Sequence, residues 1–240
     1  MHLLCHSVTF GALSIHWHKI TATGPGSHTL RGGLPHVNQA IGRAVDRILS
    51  LPEASNTWED SEEDRATRTR LNIGMIDSGA VFNHKPSSGW FSLDVRSMDE
   101  AIIVDIENRV QTILSTVGAE TQINLQMETQ QITPGGQVDG AEGSLLVTTA
   151  AQIADHMGYS ASISNFGSSN TNVSVAGGHL SICLGGRPGS DLRGKIDEFA
   201  DVDALMRTAK QVYLLSMSLG SCGALIPHGK GNVKNDQARL

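Results

Sequence analysis

Gly24–Leu51 reads GPGSHTLRGGLPHVNQAIGRAVDRILSL. A glycine turn, a lone His28, a second glycine pair and an amphipathic run follow one another without a gap. Val37, Ala40, Ile41, Ala44, Val45, Ile48 and Leu49 recur at helical spacing and form one apolar stripe. Pro35 suits the first helical turn. Upstream, Ser14 to Ala22 alternates and stops at Gly24-Pro25-Gly26, which reads as a strand and turn.

Further strands are marked by Leu71, Ile73 and Met75, by Phe91, Leu93 and Val95, and by Ile123, Leu125 and Met127. Between the last two lies a helix with the stripe Ile103, Ile106, Val110, Ile113, Leu114 and Val117. Ser97 and Glu100 are expected to form its capping box and Gly118 to end it. The charged run from Glu53 to Arg70 favours a solvated loop. The order is β-α-β-β-α-β, the ferredoxin-like pattern with two helices on one face of an antiparallel sheet. This first domain is expected over residues 13–132.

Thr133 to Gly143 is rich in Gly, Pro and polar residues and reads as a boundary. A second α/β domain is expected over 140–222. Leu146, Ala150, Ile153 and Met157 mark a helix, Ser160 to Ser164 a short strand, and Leu180 to Leu184 (LSICL) a buried parallel strand. Cys183 is then expected to be an inert core thiol. Asp201 to Gly220 reads as the last helix, packed through Val202, Leu205, Met206, Ala209, Val212 and Tyr213. Residues 223–240 read as a disordered tail.

The bulk composition is that of a soluble globular chain: 240 residues, 39% hydrophobic and 18% charged, enough to bury a core. Aromatics are only 4%, so aliphatic packing must dominate. A net charge of −6 and the lack of a basic run argue against nucleic acid as a partner. No apolar stretch reaches the roughly 20 residues that span a membrane. Met1 to Leu13 lacks the basic start of a signal peptide. Three widely spaced cysteines, Cys5, Cys183 and Cys222, suggest a reducing, cytoplasmic setting.

Four segments carry a family resemblance. They are GPGSHT; NIGMIDSGAVFNHKP, Asn72 to Pro86; SLDVRS, Ser92 to Ser97; and GSSNTNVSVAGGHLSICLGG from Gly167, followed by IDEFADV. In this order and spacing the chain resembles the zinc-dependent aminoacylase/carboxypeptidase family of metallopeptidases, which includes peptidase T-like aminopeptidases and glutamate carboxypeptidase. The likeness spans roughly residues 10 to 220. It implies a ferredoxin-like lid, or dimerisation, domain followed by the C-terminal part of a catalytic domain. It also implies hydrolysis of amide bonds in small peptides or N-acyl amino acids by two divalent metals (zinc, cobalt or manganese), and a homodimer joined through the lid.

The resemblance assigns roles residue by residue. His28 matches the lid His that stabilises the oxyanion in the partner's active site. Asn83 matches the Asn that binds the substrate carboxylate. Asn172, at a helix start, and Arg193 are further substrate-binding candidates. The family's His-x-Asp motif occurs nowhere in the chain, and its upstream Glu-Glu pair does not precede Gly24, before which stand only 23 residues. Glu62-Glu63 lies in the charged loop. Gly194 stands where a last metal-ligating His is often found, with Arg193 beside it, and Asn170 replaces an Asp. The expectation is therefore a chain without metal ligands or cofactors, incomplete or inactive. The alternative is a non-catalytic dimeric module that binds a carboxylate-bearing ligand or a full-length paralogue.

Other signals have blander readings. Asp94 and Arg96 share a strand face and are expected to pair. His16 and His18 also share a face, with Trp17 opposite; an exposed sheet face is the expected setting, ahead of half a metal site. His2, Cys5 and His6 suggest no fourth ligand. Gly185-Gly186-Arg187-Pro188-Gly189 lacks the Gly-Lys-Ser/Thr ending of a phosphate-binding loop.

Overall fold

The computed structural model describes residues 5–33, 35–55, 67–186, 196 and 201–221. The chain is mixed α/β. In order it runs β1 (Cys5–Thr9), β2 (Gly11–Ala12), β3 (Ser14–Thr23), β4 (Ser27–His28), a 3-10 turn (Thr29–Arg31), α1 (Val37–Leu49), α2 (Pro52–Ser55), β5 (Arg70–Asn72), β6 (Ile76–Ser78), β7 (His84–Lys85) and β8 (Ser88–Ser97). It continues with α3 (Glu100–Thr121), β9 (Asn124–Thr133), β10 (Gly136–Gln137), α4 (Leu145–His156), β11 (Ser160–Ser164), α5 (Thr171–Ala176), β12 (Cys183–Gly186) and α6 (Val202–Ser221). The tail from 223, Arg193 and His2 lie outside the described residues, as do the side chains of Cys5 and His6.

The larger sheet is antiparallel in the order β5-β8-β3-β9, with β6 also paired to β8. The segment between the helices that reads as one strand is split into short β5 and β6. Alternation along β3 turns Ser14, His16, His18, Ile20 and Ala22 toward the helices, while Trp17 is half-exposed on the other face. Both apolar stripes pack on that inner face. Val37, Ala40, Ile41, Ala44 and Ile48 of α1 meet Ile103, Ile106, Val110, Leu114 and Val117 of α3 over Ile20, Phe91, Leu93 and Val95. Asp94 and Arg96 do pair, through three contacts of 2.7–3.1 Å.

The ends of α3 differ from expectation. Asp99 is the cap, its carboxylate accepting from Ala101 N at 2.9 Å. Ser97 Oγ instead accepts from Asp99 N at 3.1 Å and donates to Thr67 O at 3.2 Å. Glu100 is drawn away toward β3. The helix runs past Gly118 to Gln122, which takes the left-handed conformation at φ 56°. Gly118 serves close packing: a Cβ there would lie 3.0 Å from Ile123 O.

A smaller sheet has the order β11-β1-β12, with β1 in the centre. Val8, Phe10, Val147, Ala150, Ile153 and Leu215 form its core under α4 and α6. The LSICL strand departs from expectation, because β1 takes the middle position. β12 is antiparallel to β1, and Cys183 is half-buried rather than a core thiol. The stripe assigned to α6 is also the wrong face. Val202, Leu205, Met206, Val212 and Tyr213 are exposed, and the buried positions are Ala204, Gln211 and Leu215.

Asn172 lies where the two cores join. It is buried, its Nδ2 donates to Leu13 O at 2.8 Å and to Pro134 O at 2.9 Å, and its Oδ1 accepts from Ser169 N at 2.9 Å. All three bonds are internal. Asn172→Ala is expected to destabilise the chain by about 1–3 kcal/mol, because two carbonyls lose their donor where water is excluded. Urea unfolding followed by circular dichroism would measure it.

Candidate functional site

Two clusters of chemically capable side chains stand out, one on each side of the larger sheet. The first is built by loops. The pairing of β4 with β7 sets Ser27 opposite Lys85 and His28 opposite His84. Thr29 N donates to Asn83 O at 2.9 Å, which closes the loop around the pair. Lys85 Nζ donates to Gly32 O and Gly33 O at 2.9 Å each. Those glycines have φ 43° and 71°, a conformation that suits residues without a side chain.

The hydrogen bonds fix how His28 and Asn83 face outward. His28 Nδ1 accepts from Leu30 N at 3.2 Å, so the neutral ring carries its proton on Nε2. His84 Nδ1 lies 3.0 Å from Asn83 Oδ1, which turns the Asn83 amide nitrogen toward His28. Nδ2 of Asn83 and Nε2 of His28 are 3.4 Å apart. The two nitrogens stand side by side on an exposed surface, within hydrogen-bond reach of each other, and an anionic oxygen entering between them could take both N–H groups. His28 lines an open cleft of about 880 Å³ with Lys19, Thr21, Asp77, His84, Lys85 and Trp90.

The second cluster corrects the expectation that the chain holds no metal ligands. His16 and His18 are not on an exposed face: each is only 3% exposed, beneath α3. Glu107 of α3 reaches down between them. Its Oε1 lies 2.6 Å from His16 Nδ1 and 2.8 Å from His18 Nε2. Ligand atoms of His16, His18 and Glu107 all lie within 4.8 Å of one another, a donor set that could hold a divalent metal ion. Burial lowers the His18 pKa from 6.5, a shift only partly offset by the Glu107 carboxylate, so the ring tends to the neutral form that metals bind.

This cluster was readable in principle. His16 and His18 are in phase with Ile20 and Ala22, so they belong to the buried side of β3. Glu100 and Glu107 fall in phase with Ile103, Val110 and Leu114, so the inward stripe of α3 carries carboxylates at the end that meets the histidines. Buried imidazoles need polar partners.

Comparison with known proteins is consistent with this geometry. Residues 10–122 match the peptidase dimerisation domain. The matched segment thus spans β2 to the end of α3, including His28, Asn83 and the His16–His18–Glu107 cluster. No curated protein matches the sequence. Among solved structures, AtUAH in complex with glyoxylate superposes with a TM-score of 0.69 at 16% identity, covering 91% of this chain and 50% of that one. A tripeptidase from Staphylococcus aureus gives 0.67 at 19% identity, covering 87% and 52%. An amidase of the hydantoinase/carbamoylase family from Burkholderia multivorans gives 0.65 at 15% identity, covering 88% and 49%. At these identities the likeness is one of fold. The chain spans about half the length of these structures. Among the described residues, no helix is long and apolar enough to cross a membrane.

Proposed function

We propose that this chain serves hydrolysis of amide bonds in small carboxylate-bearing substrates, peptides or N-acyl amino acids, as a cytoplasmic homodimer. In this reading residues 13–132 are a ferredoxin-like lid and residues 140–222 a second domain of catalytic kind. The observation that carries it is the pair of N–H donors at His28 Nε2 and Asn83 Nδ2 beside an open cleft, inside a segment matching a peptidase dimerisation domain. His28 would stabilise the developing oxyanion across the dimer, and Asn83 would hold the substrate carboxylate. The fold likeness to a tripeptidase and an amidase supports an amide as the bond cleaved.

Dimerisation is supported by β9. Among the described residues this ten-residue strand pairs with β3 on one side only, and a two-fold partner strand would remove its open edge. Sedimentation at micromolar concentration should show a dimer, and the same preparation with added zinc, cobalt or manganese should cleave dipeptides or N-acyl amino acids. A monodisperse monomer would overturn the dimer. A metal-loaded dimer that binds such compounds without cleaving them would point to the non-catalytic module.

A further inference from the structure

We propose that His16, His18 and Glu107 bind one zinc-class divalent ion that clamps α3 onto β3, as a structural centre rather than a hydrolytic one. The inference is independent of the hydrolase reading. Two imidazole nitrogens and a carboxylate suit a first-row transition ion of the zinc class. Calcium and magnesium prefer all-oxygen sites.

The surroundings are arranged as a metal site requires. A ligating His usually gives its other ring N–H to an oxygen, which fixes the tautomer and aims the ligand nitrogen. With Nδ1 of His16 turned to the ion, its Nε2 is left over. That atom is buried and has no hydrogen-bond partner, yet Glu100 Oε1 stands 2.8 Å away. Glu100 is itself held by Ser14 Oγ, which donates to its other carboxylate oxygen at 2.5 Å. With Nε2 of His18 turned to the ion, its Nδ1 lies 3.2 Å from Thr129 Oγ1. Glu100 and Thr129 are thus the outer partners of the two histidines. An aligned Nε2–H···Glu100 bond would satisfy the buried nitrogen.

The structural role follows from position. The side chains of His16 and His18 are 4% and 2% exposed. The open cleft at His28 is lined by Lys19 and Thr21, which alternate to the opposite face of β3. A substrate in that cleft is on the other side of the sheet from the ion. What the ion can do is join the strand to the helix at the end where the apolar stripe gives way to carboxylates.

The test uses the full chain, stripped with EDTA and titrated with zinc sulfate, alongside Glu107→Gln and Glu100→Gln. Bound zinc is counted by elemental analysis after desalting, and melting is followed by circular dichroism. The wild type should retain a zinc equivalent that Glu107→Gln lacks. Zinc at about 100-fold above Kd should raise the wild-type Tm by about 5 °C and leave that of Glu107→Gln unmoved. Glu100→Gln should keep the ion with affinity lowered about 10-fold or more. Equal zinc content and equal melting in wild type and Glu107→Gln would overturn the site and leave a hydrogen-bonded His–Glu network. Should Glu107→Gln not fold, unchanged zinc affinity in Glu100→Gln would overturn it instead.

Discussion

Phe91→Ala should lower the stability of the chain by about 3–5 kcal/mol, the cost of removing a buried aromatic and leaving a cavity. Phe91 is fully buried and is among the largest side chains so enclosed. It sits at the middle of β8, paired in register with Ile20 of β3 and Ile76 of β6. The side chains of both helices close over it. Among the described residues, no other aromatic side chain belongs to the cluster around it, so no ring of that cluster can fill the gap. A Tm lower by about 10 °C is expected from the usual scaling for a chain of this size. Phe82→Ala is the control, because Phe82 is fully exposed and its loss removes no packing. Equal melting of the two variants would show that the α1–α3 face is not the main core.

What could be read from the sequence, and what could not, follows from how local each signal is. The stripes of α1 and α3 were legible because a helix with one buried face must repeat its apolar residues every three or four positions. Strands β3 and β8 were legible for the same reason at period two. The α6 stripe failed because periodicity says that a helix has an apolar face, not which face finds a partner. There, Ala204, Gln211 and Leu215 turn inward, Gln211 donating to Ala150 O at 3.0 Å. The LSICL strand failed because its place depends on β1, which pairs with both β11 and β12 from more than 150 residues away. The α3 cap shifted from Ser97 to Asp99 because Glu100 had a stronger use against Ser14 and His16.

The candidate sites divide along the same line. His28 and Asn83 lie 55 residues apart, and only the pairing of β4 with β7 brings them together. The motif GPGSHT marks the first residue without revealing the second. The histidines of β3 were visible as a pair, but their surroundings were misjudged, because the carboxylate that meets them comes from a helix 89 residues beyond His18. A pattern confined to one element reports its own periodicity, and a site assembled from two elements appears only when their phases are compared.

If the proposed hydrolysis holds, His28→Ala should reduce kcat by about 100-fold or more while changing KM little. Removal of one oxyanion donor costs roughly 10²–10³ in rate, because that hydrogen bond strengthens only as negative charge develops. The structure favours the role in a specific way. Leu30 N holds Nδ1 as an acceptor, so the outward Nε2 is the donor without any protonation of the ring. His28→Gln keeps a donor near that position and should recover part of the rate. Asn83→Ala should act differently. Its amide faces ground-state carboxylate as well as transition state, so KM should rise more than kcat falls. Because both residues are exposed, both variants should melt with the wild type, and folding would not confound the kinetics. Steady-state assays on one dipeptide or N-acyl amino acid, with Tm measured beside them, separate these outcomes. Unchanged kcat in His28→Ala would remove the residue from the chemistry and reduce the N–H pair to a loop contact.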